Sequence, residues 1–306
     1  MNENPQINPN QRALLVTSLS TIIFGGLGAF FTYRGHGGQG LGVTLFVLLP
    51  LINGIVAAWY VPTRRATLLA TAVPIVVCFV MLFFLGWEGL VCILLVTPVA
   101  LLMSLIGALI GKALRKWRQP PKQSLKCYAF VSLLLVTSNY AETEWFLKQH
   151  TNDVVTEKMI PGRIEKVWAN LVEIDHLGAP KPFLMNIGLP IPLSCTMKGS
   201  GVGATRTCHF QKGDMVQRIE QWTPPTHFSI SIQDVTLPGR KWLGFLGAQY
   251  SLREIDGQTL VTRTTTVSSW LRPIWYWSIF EKLALDLEHE YLLESLRMRT
   301  RKINPL

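Results

Sequence analysis

The sequence predicts a protein in two parts: an N-terminal all-α membrane region of four to five spans, then an α+β domain whose bent antiparallel sheet surrounds a long C-terminal helix. Three observations lead to this prediction. Long apolar segments fill the chain up to residue 141, and short β-type segments separated by turn residues follow from residue 153. The chain then closes on a helical stretch that no glycine interrupts.

The N-terminal region contains apolar segments of about 20 residues, the length that crosses a bilayer. Its polar first ten residues lack the basic start of a cleavable signal, so we expect the first span to be retained. The last segment is the shortest, and it either spans or lies at the membrane interface. The predicted spans are residues 13–33, 41–61, 66–86, 89–111 and 127–141.

The basic excess of the chain lies beside these apolar segments. Residues 1–141 contain ten Lys/Arg and two Asp/Glu, whereas residues 142–306 contain nineteen and seventeen. This pattern indicates membrane orientation, and without a basic stripe or motif it predicts no nucleic-acid partner. Arg64, Arg65 and the basic cluster at 112–126 are expected in the cytoplasm.

We therefore expect an integral multi-pass protein of the inner (cytoplasmic) membrane of a bacterium. If residues 127–141 span, the C-terminal domain is extracytoplasmic; if they lie at the interface, it is cytoplasmic. We favour the extracytoplasmic side.

A connector at 142–152 leads into the second domain, predicted at 153–303. Residues 153–160 read as a strand, and residues 164–174 carry apolar side chains at helical spacing. The proline-rich loop 178–193 predicts neither a regular helix nor a central strand, so it is a packed plug or the lid of an apolar pocket.

Further strands follow, joined by turn residues that predict hairpins and so an antiparallel sheet. The glycine run at 199–203 precedes a β-type segment, so we interpret it as a hairpin turn rather than a dinucleotide-binding motif. The predicted strands are residues 194–198, 204–211, 215–222, 227–233, 242–253 and 259–268.

The last predicted helix, residues 272–302, has two apolar strips. One contains Leu285, Leu292 and Leu296. We expect the other to face a cavity between helix and sheet, with the 180–193 loop at its mouth. That strip contains Trp277, Phe280, Leu283, Ala284, Leu287 and Tyr291.

Four stretches of this domain resemble a known family: PGRIEKVWANLVEIDHL, GSGVGATRTCHF, VQRIEQWTPPTHFSISI and YSLREIDGQTLVTRTTTV. Together with the order of elements, they are similar to the SRPBCC superfamily, the START-like helix-grip fold, and within it to the polyketide cyclase/dehydrase branch. The resemblance covers about residues 153–301 and leaves the membrane region outside. It implies a cavity for a hydrophobic ligand, which members use for lipid or sterol transport or for cyclisation, hydration or oxygenase chemistry.

Candidate cavity residues are polar or aromatic positions on the strands and on the last helix. No catalytic set is identified, and an enzyme would need an acid/base pair such as Glu294 with Tyr291 or Arg206. Neither the six histidines nor Cys195 with Cys208 show metal-site spacing, so no metal or cofactor is expected. The predicted ligand-binding residues are Arg206, Tyr250, Trp277, Phe280, Leu287, Tyr291 and Glu294, with Glu220, Arg263, Asp175 and His176 as further candidates.

These observations favour a membrane-anchored domain that binds a lipid or another hydrophobic small molecule, with the bilayer and that ligand as partners. One alternative is a cyclase- or dehydratase-type enzyme acting on a hydrophobic substrate. The other is a non-catalytic sensory or structural membrane protein. An enzyme is the less favoured of these classes, because no catalytic set is evident.

Two cysteines test the predicted hairpin at 199–203. If Lys198 pairs with Thr205, the antiparallel register also places Cys195 opposite Cys208. Opposite residues at a non-hydrogen-bonded site lie about 4.5 Å apart at Cα, which permits a disulfide. We favour two buried free thiols over a bridge.

Overall fold

A computed structural model of the chain describes residues 43–61, 63–85, 90–119, 148–237 and 243–302, with isolated positions in 11–22 and 133–142. The chain forms two compact units. The first comprises residues 1–148 with 270–273, and the second comprises residues 149–269 with 274–306.

The described part of the first unit includes a π-helical turn and three α-helices. A π-helical turn, Thr44–Leu48, leads into α1 (Leu49–Tyr60), and α2 (Arg64–Phe84) and α3 (Leu90–Trp117) follow. By length and composition, α2 and α3 are long and apolar enough to cross a membrane. They correspond to the predicted spans at 66–86 and 89–111.

The other predicted spans have different outcomes. Within the predicted span at 41–61, residues 46–60 form an apolar helix shorter than the two candidate spans, and residues 41 and 42 lie outside the described residues. The helix stops at Tyr60 because Val61 is extended ahead of Pro62, and a residue before proline disfavours helical geometry. The predicted spans at 13–33 and 127–141 lie largely outside the described residues, as does part of the connector at 142–152.

Helices α1 and α3 pack with their backbones in contact. A Cβ placed on Gly107 would lie 2.0 Å from the Leu51 carbonyl oxygen, and one on Gly54 would lie 2.1 Å from that of Ser104. The Ser104 hydroxyl also donates to the Pro50 carbonyl at 3.1 Å. Small residues at a close crossing are typical of helices packed in a membrane.

The second unit is built on one seven-stranded antiparallel sheet with the order β1-β7-β6-β5-β4-β3-β2. Each predicted strand appears within a few residues of its expected bounds, because alternating burial and turn residues define it locally. The strands are β1 (His150–Pro161), β2 (Pro192–Lys198), β3 (Thr205–Phe210), β4 (Gly213–Thr223), β5 (His227–Val235), β6 (Leu243–Ile255) and β7 (Gln258–Ser269).

Two helices complete this unit. Helix α4 (Ile164–Val172) follows β1 and buries Val167 and Leu171 in the core, while α6 (Ile274–Lys302) closes the chain and packs along β1. Register shifts in β2, β4 and β6 mark bulges, which bend a sheet. A bent antiparallel sheet with a long C-terminal helix is the helix-grip arrangement, as predicted.

The proline-rich loop contains a single helical turn, α5 (Phe183–Asn186), where we expected no regular helix. The turn forms because Pro182 stands before it as the N-cap and not within it. Proline is compatible with the start of a helix, since its missing N–H has no helical partner there.

The β2–β3 hairpin has the predicted register. Lys198 pairs with Thr205 and Cys195 pairs with Cys208. The two cysteines, 4.0 Å apart at Cα, form a disulfide, so the favoured expectation of two free thiols is wrong. The two cysteines are 13 residues apart in sequence. Closing a loop of this length restricts the unfolded chain and stabilises the fold by about 3 kcal/mol in the chain-entropy model.

Candidate functional site

A cavity lies inside the second unit, between the concave face of the sheet, helix α6 and the proline-rich loop. Its volume is about 70 Å³. Walls contributed by Met185, Leu189, Ile230 and Phe245 make it mainly apolar, and the Cys195–Cys208 bridge forms part of its surface. The loop at 178–193 thus lies against the cavity, where a plug or lid was expected.

Helix α6 turns a different face to this cavity from the one predicted. Its lining positions are Ala284, Leu285, Glu288 and Leu292. Both strips of the helix are apolar, so periodicity alone could not rank them. The contacts with β1 decide the orientation: Asn152 donates to Glu281 at 2.9 Å, and Thr156 lies 2.8 Å from the His289 ring.

Most predicted cavity residues on α6 lie off the lining of this cavity. The described lining of the cavity does not include four of them: Trp277, Phe280, Leu287 and Tyr291. Trp277 and Tyr291 are nevertheless buried, and the Tyr291 hydroxyl donates to the Leu177 carbonyl at 3.2 Å. Phe280 and Leu287 are only partly buried.

Glu294 also lies off the cavity lining. Its carboxylate binds Lys158 of β1 at 2.7 Å and Arg297, one turn on, at 2.7 Å. These cations hold the pKa of Glu294 below its usual value, although partial burial alone would raise it. Glu294 is therefore a structural ion-pair partner, and the suggested acid/base pairs with Tyr291 or Arg206 are not assembled in the cavity.

Arg206 does line the cavity, and it is almost fully buried. Its Nε donates to the Val172 carbonyl at 3.0 Å and its Nη2 to the Leu171 carbonyl at 3.2 Å. Nη1 donates to Gln217 Oε1 at 2.9 Å. Burial lowers the pKa of Arg206, while the carbonyls at the negative end of α4 favour its charge.

Arg263, on β7, also lines this cavity. Its Nη2 pairs with Glu288 of α6 at 2.9 Å, and its guanidinium carbon lies 5.5 Å from the Tyr250 ring centre, within cation–π range. Burial lowers the pKa of Arg263, but the Glu288 carboxylate more than offsets this and raises it. Glu288 was missed because its partner lies on a distant strand.

Tyr250 joins this polar group to an aromatic core. Its ring stacks on Phe228, with centroids 4.6 Å apart, and Phe228 meets Trp168 of α4 edge-on at 5.3 Å. A ring fixed on one side by such packing cannot turn away from the cavity. The structure thus places three candidate residues, Arg206, Tyr250 and Arg263, on the lining of one cavity and adds Glu288.

His289 lies next to this group but is fully buried behind it. Its ring nitrogens contact the hydroxyls of Thr156 at 2.8 Å and Thr265 at 2.7 Å. Burial, aided by the positive charges of Arg263 and Lys282, lowers the pKa of His289 to about 2. The ring is neutral at physiological pH and serves to join β1, β7 and α6.

The remaining candidates lie on the surface. Glu220 accepts a hydrogen bond from Ser231, Asp175 pairs with Arg299, and His176 is exposed. Within the part of the chain that the structure describes, no group of three or more His, Cys, Asp or Glu side chains could hold a metal ion.

No protein-family model matches this chain, and no curated protein matches it. Solved structures resemble about half of it. A START superfamily protein from Mycobacterium smegmatis has 11% identity and a TM-score of 0.38, and covers 50% of this chain and 99% of its own. The Aha1 dimer of Colwellia psychrerythraea has 15% identity and a TM-score of 0.32, covering 48% of this chain and 93% of its own.

The orientation of α6 predicts unequal effects for two leucines on that helix. Leu292 is buried and lines the cavity, whereas Leu287 is only partly buried. We expect Leu292→Arg to lower the free energy of unfolding by about 4 kcal/mol or more, because it buries an unpaired charge. Leu287→Arg should cost about 1 kcal/mol, since its longer side chain can reach water.

Chemical denaturation of the full chain in detergent, followed by tryptophan fluorescence, measures both effects. Equal losses, or a larger loss for Leu287→Arg, would mean that the helix is rotated from the orientation described here.

Proposed function

We propose that the chain is a membrane-anchored protein whose C-terminal domain binds a lipid or another hydrophobic small molecule in the helix-grip cavity. One observation carries the proposal: apolar walls from the sheet, α6 and the proline-rich loop surround a small group of converging polar side chains. Ligand sites in proteins have this composition, with apolar walls for affinity and a few polar groups for orientation.

Binding is favoured over catalysis by the pairing of the cavity's polar groups. General acid–base chemistry needs a group free to exchange a proton with the substrate. Glu288 is held by Arg263, Arg206 by carbonyls and Gln217, and Glu294 by Lys158 and Arg297. These contacts weigh against the cyclase or dehydratase alternative and against assigning the chain to the polyketide cyclase/dehydrase branch.

The membrane anchor is proposed from α2 and α3 together with the charge pattern of the chain. Arg64 and Arg65 begin α2, and Arg115 and Lys116 end α3, so both basic ends are expected in the cytoplasm. The Cys195–Cys208 disulfide supports an extracytoplasmic C-terminal domain, since such bonds persist in oxidising compartments.

Filling the cavity tests the binding function. Ala284 lines the cavity, so Ala284→Trp places a large ring there. The control, Leu283→Trp, makes a similar change at the preceding residue, which is exposed. The full-length protein and both variants are purified from membranes, and their lipids are extracted and quantified by mass spectrometry. We expect Ala284→Trp to lose one component in near-stoichiometric amount, while Leu283→Trp keeps it.

Lipids bound to the membrane helices should be the same in all three proteins, so the difference reports on the cavity. Identical profiles for both variants and the parent protein, with each correctly folded, would contradict the proposed function.

The side of the membrane is tested separately with an epitope tag after Leu306. Protease added to intact spheroplasts should remove this tag, because the domain is proposed to lie outside. A second tag, inserted after Lys122 in the basic cluster, should be protected until the cells are lysed. Protection of the Leu306 tag would place the domain in the cytoplasm.

A further inference from the structure

Arg263 has buried donors that nothing in the described chain accepts. Its side chain is 9% exposed, and only Nη2 is bonded, to Glu288. Nε and Nη1 have no hydrogen-bond partner among the residues that the structure describes. An unsatisfied buried donor costs about 1–3 kcal/mol, and more on a charged group. Two such donors on a residue that lines a cavity indicate an acceptor from outside the chain.

The charges around the cavity favour a negatively charged acceptor. Arg206 and Arg263 are the basic side chains that line it, and Glu288 is the lining carboxylate among the described residues. The net charge is therefore +1. Arg206 is bonded to the neutral groups Leu171, Val172 and Gln217, which leave its charge without a carboxylate partner. A bound monoanion would bring the net charge of the site to zero, whereas a dianion would make it negative.

The size of the cavity limits what the anion can carry. A volume of about 70 Å³ corresponds to roughly six water-sized spheres. A headgroup of two oxygens with a short alkyl chain is of this scale. Longer chains would have to pass Met185 and Leu189 of the proline-rich loop, which line the cavity.

We propose that the cavity binds an amphiphilic carboxylic acid in its ionised form, with the carboxylate accepting a hydrogen bond from Nε or Nη1 of Arg263 and the alkyl chain against the apolar walls. This rests on the proposed function, which it narrows to one headgroup chemistry. The guanidinium of Arg263 lies over the Tyr250 ring, and Glu288 binds its Nη2. Nε and Nη1 therefore remain available to donate to a ligand. Charge-assisted bonds of this kind are the strong ones in a low-dielectric site.

Three probes with the same chain length separate the contributions: hexanoate, hexanamide and hexylammonium. Their binding to the full chain in lipid nanodiscs at neutral pH is measured by calorimetry, with empty nanodiscs subtracted. We expect hexanoate to bind about tenfold more tightly than hexanamide, because the bond to a charged acceptor is stronger. Hexylammonium should bind weakest, since it brings a second positive charge to Arg263.

Two variants are expected to change the binding of hexanoate in opposite directions. Arg263→Gln should abolish the advantage of hexanoate over hexanamide, while Arg253→Gln, at an exposed position on β6, should preserve it. Glu288→Gln removes the competing carboxylate and should raise the affinity for hexanoate severalfold. If Arg263→Gln does not fold, the increase in Glu288→Gln carries the test alone.

Hexyl phosphate, as its dianion, distinguishes a carboxylate site from a general phosphate site, and it should bind more weakly than hexanoate. Equal binding of hexanoate and hexanamide, or tighter binding of the phosphate, would overturn the carboxylate assignment while leaving hydrophobic binding in place. If none of the probes binds and Ala284→Trp retains every lipid of the parent protein, the proposed function fails as well.

Discussion

Two buried arginines on the sheet, Arg206 and Arg263, impose the main constraint on the C-terminal domain. Each guanidinium that leaves water must regain hydrogen bonds and charge compensation, or the domain loses several kcal/mol of stability. Arg206 obtains its hydrogen bonds from the carboxyl end of α4 and from Gln217, but no carboxylate of the described residues pairs with its charge. These bonds tie the carboxyl end of α4 to β3.

Arg263 solves the same problem only in part. Glu288 supplies one bond and one opposite charge, which link α6 to β7 and act together with the contacts to β1 in setting which side of the helix faces the cavity. The partly satisfied arginine is the feature that distinguishes a ligand site from a packed core, since native cores leave few buried donors unpaired. Arg263 therefore contributes to both stability and ligand binding: it helps to hold the last helix, and it offers unpaired donors to the cavity.

Local patterns were sufficient for much of the fold. Strand β7 alternates buried and partly exposed residues over most of its length, and the turn after Lys198 sets a register that brings Cys195 opposite Cys208. Both features depend on neighbours in sequence. The site was less predictable because its inner strip on α6 is interrupted by Glu281 and Glu288, whose partners Asn152 and Arg263 are far away in sequence.

An anionic amphiphile is proposed to bind in the C-terminal domain with its headgroup at Arg263. The most direct measurement is the anomalous scattering of crystals of the full chain grown with 6-bromohexanoate. We expect a bromine peak among the apolar walls near Met185 and Ile230, with the carboxylate density within hydrogen-bond distance of Arg263 Nε or Nη1. A cavity filled only by water, with bromine at the protein surface or in the detergent belt, would contradict it.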